Sequence, residues 1–273
     1  MEERRIRLAI LDMYDGTPNQ GMRAIHELVE RFSDQLEWQT FDVRGKAEVP
    51  DTGFDIYISS GGPGDPLEGD GVWDTKFFNL LDRLWAINRS GEGPKKFVFF
   101  ICHSFQMACH HFGLAEIKPR KSRSFGTFPV HKTEEGLSDP YFENLPNPFC
   151  VADFRNYQVV QPKQEVLASL GAKVLALEKI RPHVPLERAM MAVRFSREFF
   201  GTQFHPEADP EGMILHFEKQ EMKELVAKNH GMAKFYQMIK DLNDPDMIEL
   251  THNTLIPAFL QDAIHELSLQ TIS

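Results

Sequence analysis

The chain has 273 residues, 42% of them hydrophobic, with 30 basic against 40 acidic side chains and a formal net charge of −10. That apolar content suits a globular protein with a real core, while the negative charge repels phosphates and no basic cluster offsets it, which speaks against nucleic acid as a partner. No apolar run is long enough for a membrane span and nothing reads as a signal peptide, so the three cysteines, Cys102, Cys109 and Cys150, are expected as free thiols in a reducing cytoplasm.

Arg5 to Met13 reads as a first strand, with Ile6, Leu8, Ala9, Ile10 and Leu11 apolar almost in sequence, as in a buried parallel strand. A loop over 14–20 follows. Met22, Ile25, Leu28, Val29 and Phe32 then recur at helical spacing, and Glu37 to Val43 returns as a strand. Strand, helix and strand in succession, continuing through Ile56 and Val98, predict a mostly parallel sheet covered by helices.

Phe54 to Ile58 is the next strand, and it runs into Ser59-Ser60-Gly61-Gly62-Pro63-Gly64-Asp65-Pro66. Glycines there let backbone N–H groups approach a ligand, as an oxyanion hole requires, although a tight strand-to-helix connection also uses them. No Gly-Lys-Ser/Thr follows, so the lysine and magnesium ligand of a phosphate loop are missing. The ATP pyrophosphatase pattern SGGxDS is absent too, because no serine follows Asp65. Between Val72 and Asn88, the stripe Phe77, Leu80, Leu81, Leu84 and Trp85 predicts a helix packed on the sheet.

The apolar run Phe97 to Ile101 ends at Cys102, and a helical pattern that stops at Gly113 begins directly after it. A cysteine between a buried strand and a helix projects from a sharp turn at the positive helix end, which favours the thiolate. The same residue is also what a small buried hydrophobe looks like. From Ser122 to Leu170, prolines at 129, 140, 146, 148 and 162 predict turns between short strands.

Phe199 to Phe204 reads as another strand, ending in His205-Pro206-Glu207. Extended backbone sends residues i and i+2 to one side, and Pro206 biases His205 towards that geometry, so Glu207 can orient the imidazole as the base that a cysteine nucleophile needs. After Pro210 the pattern turns helical, is interrupted near Gly231, breaks at Asn243-Asp244-Pro245-Asp246, and resumes from Pro257 to about Leu269. We take residues 213–273 as helices packed on the domain formed by 1–212. An interface in a homo-oligomer, or a lid over the site, is the alternative.

Together ISSGGPGDP, ICHSFQ and GTQFHPE resemble the oxyanion strand, nucleophile elbow and His-x-Glu segment of class I glutamine amidotransferases, of the type found as GMP synthase amidotransferase domains. The resemblance covers about residues 6–210 and implies a flavodoxin-like three-layer α/β sandwich with a mostly parallel sheet, here with a C-terminal helical extension. It implies that Cys102 attacks the side-chain amide of glutamine, that His205 acts as base and then acid, and that Glu207 orients it. The oxyanion donors map to Gly62, in the Gly61-Gly62 pair, and to His103. Gln106 maps to the substrate pocket. No cofactor is implied. The enzyme would act alone or supply ammonia to a separate synthetase or acceptor, because the chain shows no second catalytic domain of recognisable kind.

Two departures from the family pattern bear on the substrate. Glycines usually stand two residues before and after the nucleophile, where this chain has Phe100 and Ser104, and the family's His-Gly-Asp segment is replaced at Arg155-Asn156-Tyr157. Phe100 implies either a relaxed elbow or a neighbouring surface reshaped to admit it. A γ-glutamyl peptide or amide hydrolase using the same thiol, and a catalytically silent binding or regulatory homologue, are the competing readings. His103, His110 and His111 beside Cys102 and Cys109 lack metal-ligand spacing, so no metal is expected.

Overall fold

The computed structural model describes residues 5–180 and 187–272. In chain order the elements are β1 (Ile6–Asp12), α1 (Gln20–Glu30), β2 (Leu36–Asp42), α2 (Val43–Lys46), β3 (Ile56–Ser59), α3 (Trp73–Ser90), β4 (Phe97–Ile101) and α4 (His103–His111). There follow β5 (Glu116–Lys132), α5 (Glu134–Leu137), β6 (Phe149–Val160), α6 (Gln164–Leu170), β7 (Lys173–Glu178), β8 (Met190–Arg194) and β9 (Phe199–Thr202). The chain closes with α7 (Pro210–Phe217), α8 (Gln220–His230), α9 (Met232–Leu242), a short wide turn at Pro245–Glu249, and α10 (Leu250–Ile272).

The strands form a single nine-stranded mixed sheet in the order β2-β1-β3-β4-β9-β8-β7-β5-β6. From β2 to β9 the pairings are parallel; from β9 to β6 they are antiparallel. This is the α/β architecture that the alternation of strands and helices predicts, and alternate strand residues divide its core. Leu8, Ile10, Ile56, Ile58, Phe97, Phe99 and Ile101 pack on one face with Ile25, Leu28 and Val29 of α1 and Phe259, Leu260 and Ala263 of α10. Ala9, Leu11, Tyr57, Val98 and Phe100 pack on the other with Phe77, Leu81 and Leu84 of α3 and Phe105 and Ala108 of α4. Strands buried on both sides need apolar residues at every position, which is why β1 and β4 read as unbroken runs.

On the first face α10 is as much core as α1. Leu255, Ile256, Phe259, Leu260 and Ala263 are fully buried, and the Phe259 ring meets Phe97, Phe99 and Tyr141 edge-on. At roughly 2 kcal/mol for each large buried apolar side chain, this helix contributes strongly to stability. A third apolar cluster forms where Met213, Phe217, Val226, Phe235 and Met238 of α7, α8 and α9 cover Phe125, Cys150 and Ala152.

Two sequence expectations are corrected. The region after Ser122 is not a series of short strands: β5 runs for 17 residues and β6 for 12, as one antiparallel pair. Pro129 lies within β5 opposite Cys150, one residue before the pairing with β7 begins at Val130, so it sits where the strand is paired with β6 alone. The last helix begins at Leu250 rather than Pro257, and the proline is inside it. A proline in a helix interior removes one backbone bond, which burial of the flanking Leu255, Ile256 and Phe259 offsets.

Candidate active site

The carboxyl ends of β1, β3, β4 and β9 converge at one point, where open parallel sheets place their ligands. The turn from β4 into α4 is made by Cys102, whose φ of 48° and ψ of −95° lie outside the ordinary regions for a residue with a side chain. The elbow is therefore strained, not relaxed. Its surroundings hold it: Cys102 N–H donates to the Thr202 carbonyl of β9 at 2.8 Å, and the Cys102 carbonyl accepts from Gln106 N–H at 3.0 Å. Ser104 Oγ accepts from Ile101 N–H at 3.0 Å and donates to the Ser59 carbonyl at 2.8 Å, tying the elbow to β3. Serine at this position is thus part of the turn.

His205 follows β9 and is joined to β6 by its own N–H, which donates to the Ala152 carbonyl at 2.9 Å. Its Nδ1 lies 2.7 Å from Glu207 Oε1, but the two meet across a turn rather than on one side of an extended strand: β9 ends at Thr202, Pro206 and Glu207 form a turn, and Ala208 N–H donates to the His205 carbonyl at 3.2 Å. Burial works to lower the pKa of His205, yet the Glu207 carboxylate and then Cys102 push it well above its ordinary value. The Cys102 thiol also faces the Phe154 carbonyl at 3.7 Å and Gln203 Nε2 at 3.8 Å.

Gly61 and Gly62 sit where side chains do not fit. A Cβ on Gly61 would fall 2.8 Å from Cε1 of His205, and one on Gly62 would fall 2.3 Å from the Met13 carbonyl. The His103 amide lies in the first turn of α4, where helical N–H groups lack helical partners. Its side chain is buried with Nε2 unpartnered among the described residues; burial, aided by Arg44, pushes its pKa down to about 3, so the ring is neutral. Gln106 Nε2 donates to Gln203 Oε1 at 3.1 Å and to the Tyr157 carbonyl at 3.3 Å, which links it through Gln203 to the thiol. Cys102, His205, Glu207, Gly61 and Gln106 are thus brought together, with Gly62 and His103 adjoining them in the loop and helix.

Other residues at this point left little trace in the sequence. Tyr14, from the loop after β1, places its hydroxyl 2.6 Å from where a Cβ on Gly21 would stand, with Glu207 Oε1 3.2 Å from that same point. Burial, then the charges of Glu207 and Cys102, push its phenol well up, so it stays protonated. Tyr157, in the stretch that departs from the family pattern, donates its hydroxyl to Asp65 Oδ2 at 2.6 Å. Arg155 pairs with Asp153 at 3.0 Å and Glu178 at 3.4 Å, and its Nη1 donates at 3.4 Å to the Tyr157 carbonyl, which also accepts from Gln106. From the C-terminal helix, His252 Nδ1 reaches the Glu207 carbonyl at 2.9 Å.

The remaining histidines of α4 stand apart. His111 stacks on Phe78 with ring centroids 4.6 Å apart and bonds Asp82 at 2.7 Å, and His110 is exposed. Among the described residues no group of three or more histidine, cysteine or carboxylate side chains is arranged to hold a metal, and no helix is long and apolar enough to cross a membrane.

Comparison with known proteins gives the family and the fold. The family model described as glutamine amidotransferase class-I matches residues 9–225. GMP synthase [glutamine-hydrolyzing] of Neisseria gonorrhoeae is 30% identical over 156 residues, 55% of this chain and 24% of that protein. The chain therefore spans about a quarter of the length of the curated relatives it matches. A glutamine amidotransferase from Thermotoga maritima superposes with a TM-score of 0.68 at 14% identity, covering 96% of this chain and 99% of its own. The glutaminase domain of Trypanosoma brucei CTPS with bound acivicin gives a TM-score of 0.54 at 16% identity, covering 74% of this chain and 86% of its own. At these identities the structural likeness is one of fold.

Proposed function

This chain belongs to the class I glutamine amidotransferase family, and on that footing we propose that it hydrolyses the side-chain amide of glutamine through a thioester on Cys102. The ammonia released passes to a separate synthetase or acceptor. The observation that carries this reading is the strained Cys102 elbow with the His205–Glu207 pair beside it.

A protonated His205 pairs with the thiolate of Cys102, which attacks the amide carbon. The oxygen then carries the charge and faces the N–H groups of Gly62 and His103. As the C–N bond breaks, His205 gives its proton to the departing nitrogen and ammonia leaves a glutamyl thioester. Water, deprotonated by His205, attacks that thioester; the C–S bond breaks and glutamate and the thiolate–imidazolium pair are restored. Glu207 holds the imidazole in place throughout. Cytoplasmic residence, with Cys102 reduced, belongs to the same proposal. The GMP synthase relative extends far beyond the matched part, which supports a synthetase as the ammonia acceptor.

A second reading, hydrolysis of a γ-glutamyl peptide or amide, is favoured by Tyr157, whose carbonyl holds Gln106 and whose hydroxyl holds Asp65. The wall beside the proposed substrate residue is therefore not the family's usual one. The test is ammonia release from glutamine against glutamate release from γ-glutamyl peptides, for the native protein and for Cys102→Ala. Glutamine turnover lost in the variant supports the first reading, and peptide turnover alone supports the second. No turnover of either, with a pull-down finding no synthetase that restores it, leaves a silent homologue.

A further inference from the structure

We propose that His252, at the start of α10, is a positioning residue that fixes Glu207 and through it His205. The inference rests on the reading that Cys102, His205 and Glu207 carry the reaction. His252 is buried, 5% exposed, and bonds on both sides. Its Nε2 lies 3.1 Å from the guanidinium of Arg31, at the end of α1, and its Nδ1 lies 2.9 Å from the Glu207 carbonyl. A guanidinium can only donate, so Nε2 accepts and the single ring proton is on Nδ1, donated to Glu207. Burial and the positive Arg31 also lower the pKa of His252, which keeps the ring neutral in this tautomer.

The neighbouring residues make the contact part of a built junction. Thr251 Oγ donates to the Cys150 carbonyl of β6 at 2.6 Å, and Asn253 Oδ1 accepts from Arg31 at 3.0 Å. β6 is the strand whose Ala152 carbonyl receives the His205 amide. The segment from His205 to Asp209 is thereby held at three points: its first amide by β6, its middle carbonyl by His252, and its last carboxylate by Arg23 of α1. The middle point comes from α10, beyond the residues that the family model matches.

Packing alone would hold α10 against the sheet, but only a donor fixes the plane of the Glu207 peptide. That plane sets where the carboxylate stands relative to the imidazole, and a displacement of about 1 Å in such a group costs up to about a hundredfold in rate. His252→Phe keeps the bulk and removes the donor, whereas His252→Asn keeps an N–H close to the position of Nδ1.

The test compares both variants with the native full chain. We expect His252→Phe to lower kcat on the working substrate about tenfold or more, to leave KM within about threefold, and to slow iodoacetamide alkylation of Cys102 by a similar factor. His252→Asn retains kcat and alkylation within about threefold of native, on the same scale. A folded His252→Phe protein with native kcat and alkylation overturns the inference, as does an equal loss in both variants. Should His252→Phe not fold, His252→Ala carries the same expectation, and native kcat in that protein overturns it. If the native protein turns over neither glutamine nor γ-glutamyl peptides, the proposed reaction falls by that result, and the alkylation rates alone decide for or against His252. If it is active and the variants match it, the inference about His252 falls alone.

Discussion

Phe100 faces Gly201 across the β4–β9 ladder, and the absent side chain of the glycine is what admits a phenylalanine two residues before Cys102. A Cβ on Gly201 would lie 2.8 Å from Cδ2 of Phe105, 3.1 Å from Cβ of Phe100 and 3.2 Å from its carbonyl oxygen. The bulk that the elbow usually excludes lies on the sheet face that α4 covers, where Phe195 and Phe199 receive the Phe100 ring.

Gly201→Ala should therefore destabilise the fold by about 1–3 kcal/mol, since the nearest atoms are rings and backbone that cannot swing aside. Urea unfolding measures this. A change within error would mean that the Phe100 pocket has slack.

Cys102→Gly should be more stable than Cys102→Ala by roughly 1–2 kcal/mol, because a Cβ at φ 48° and ψ −95° is strained and glycine is not. Both lack the thiol, so the comparison isolates backbone strain from chemistry. Equal unfolding midpoints would show that the elbow stores none.

Glu207→Gln should lower turnover by roughly a hundredfold at neutral pH, the scale on which proton-transfer groups act. Without the carboxylate, burial is no longer opposed by its main counterweight and His205 loses its hold on the proton. The sign for stability follows from the raised pKa of His205. The native protein gains stability that is fully present below the ordinary histidine value and is lost as pH rises through the raised one. The stability difference between native protein and variant should shrink as pH increases through that window. A constant difference would separate Glu207 from the charge state of His205.

His103 gives the opposite sign. Its pKa is lowered by burial first and by Arg44 second, from 6.5 to about 3, so the unfolded chain takes a proton that the folded chain refuses. Its contribution is present above pH 6.5 and is lost as pH falls towards 3, by up to about 1.4 kcal/mol for each pH unit. His103→Phe should flatten the acid limb of a stability–pH curve by that slope. An unchanged limb would mean that His103 is protonated in the folded protein.

Much of the fold was legible because parallel strands buried on both faces must be apolar at every position, as Phe97 to Ile101 are. The His205–Glu207 pairing was legible from the motif, although not for the reason the sequence offers: the two side chains meet across a turn at Pro206-Glu207, not on one side of an extended strand. Tyr14 was not: it stands in a loop, and only the sheet's topology carries that loop to the end of β9. His252 was not, because its partner is a backbone carbonyl 45 positions away, which imposes no pattern on the sequence. The lengths of β5 and β6 are not legible, because proline ordinarily interrupts a paired strand, whereas Pro129 lies where one edge of its strand is unpaired.

The central claim is that Cys102 forms the bond to a glutamyl carbon. Its most direct test is the intact mass and peptide map of the native protein after exposure to a glutamine analogue bearing an electrophile. The account predicts a single adduct on Cys102, suppressed by excess substrate and greatly slowed in Glu207→Gln. An unmodified Cys102, or labelling confined to Cys109 or Cys150, would contradict it.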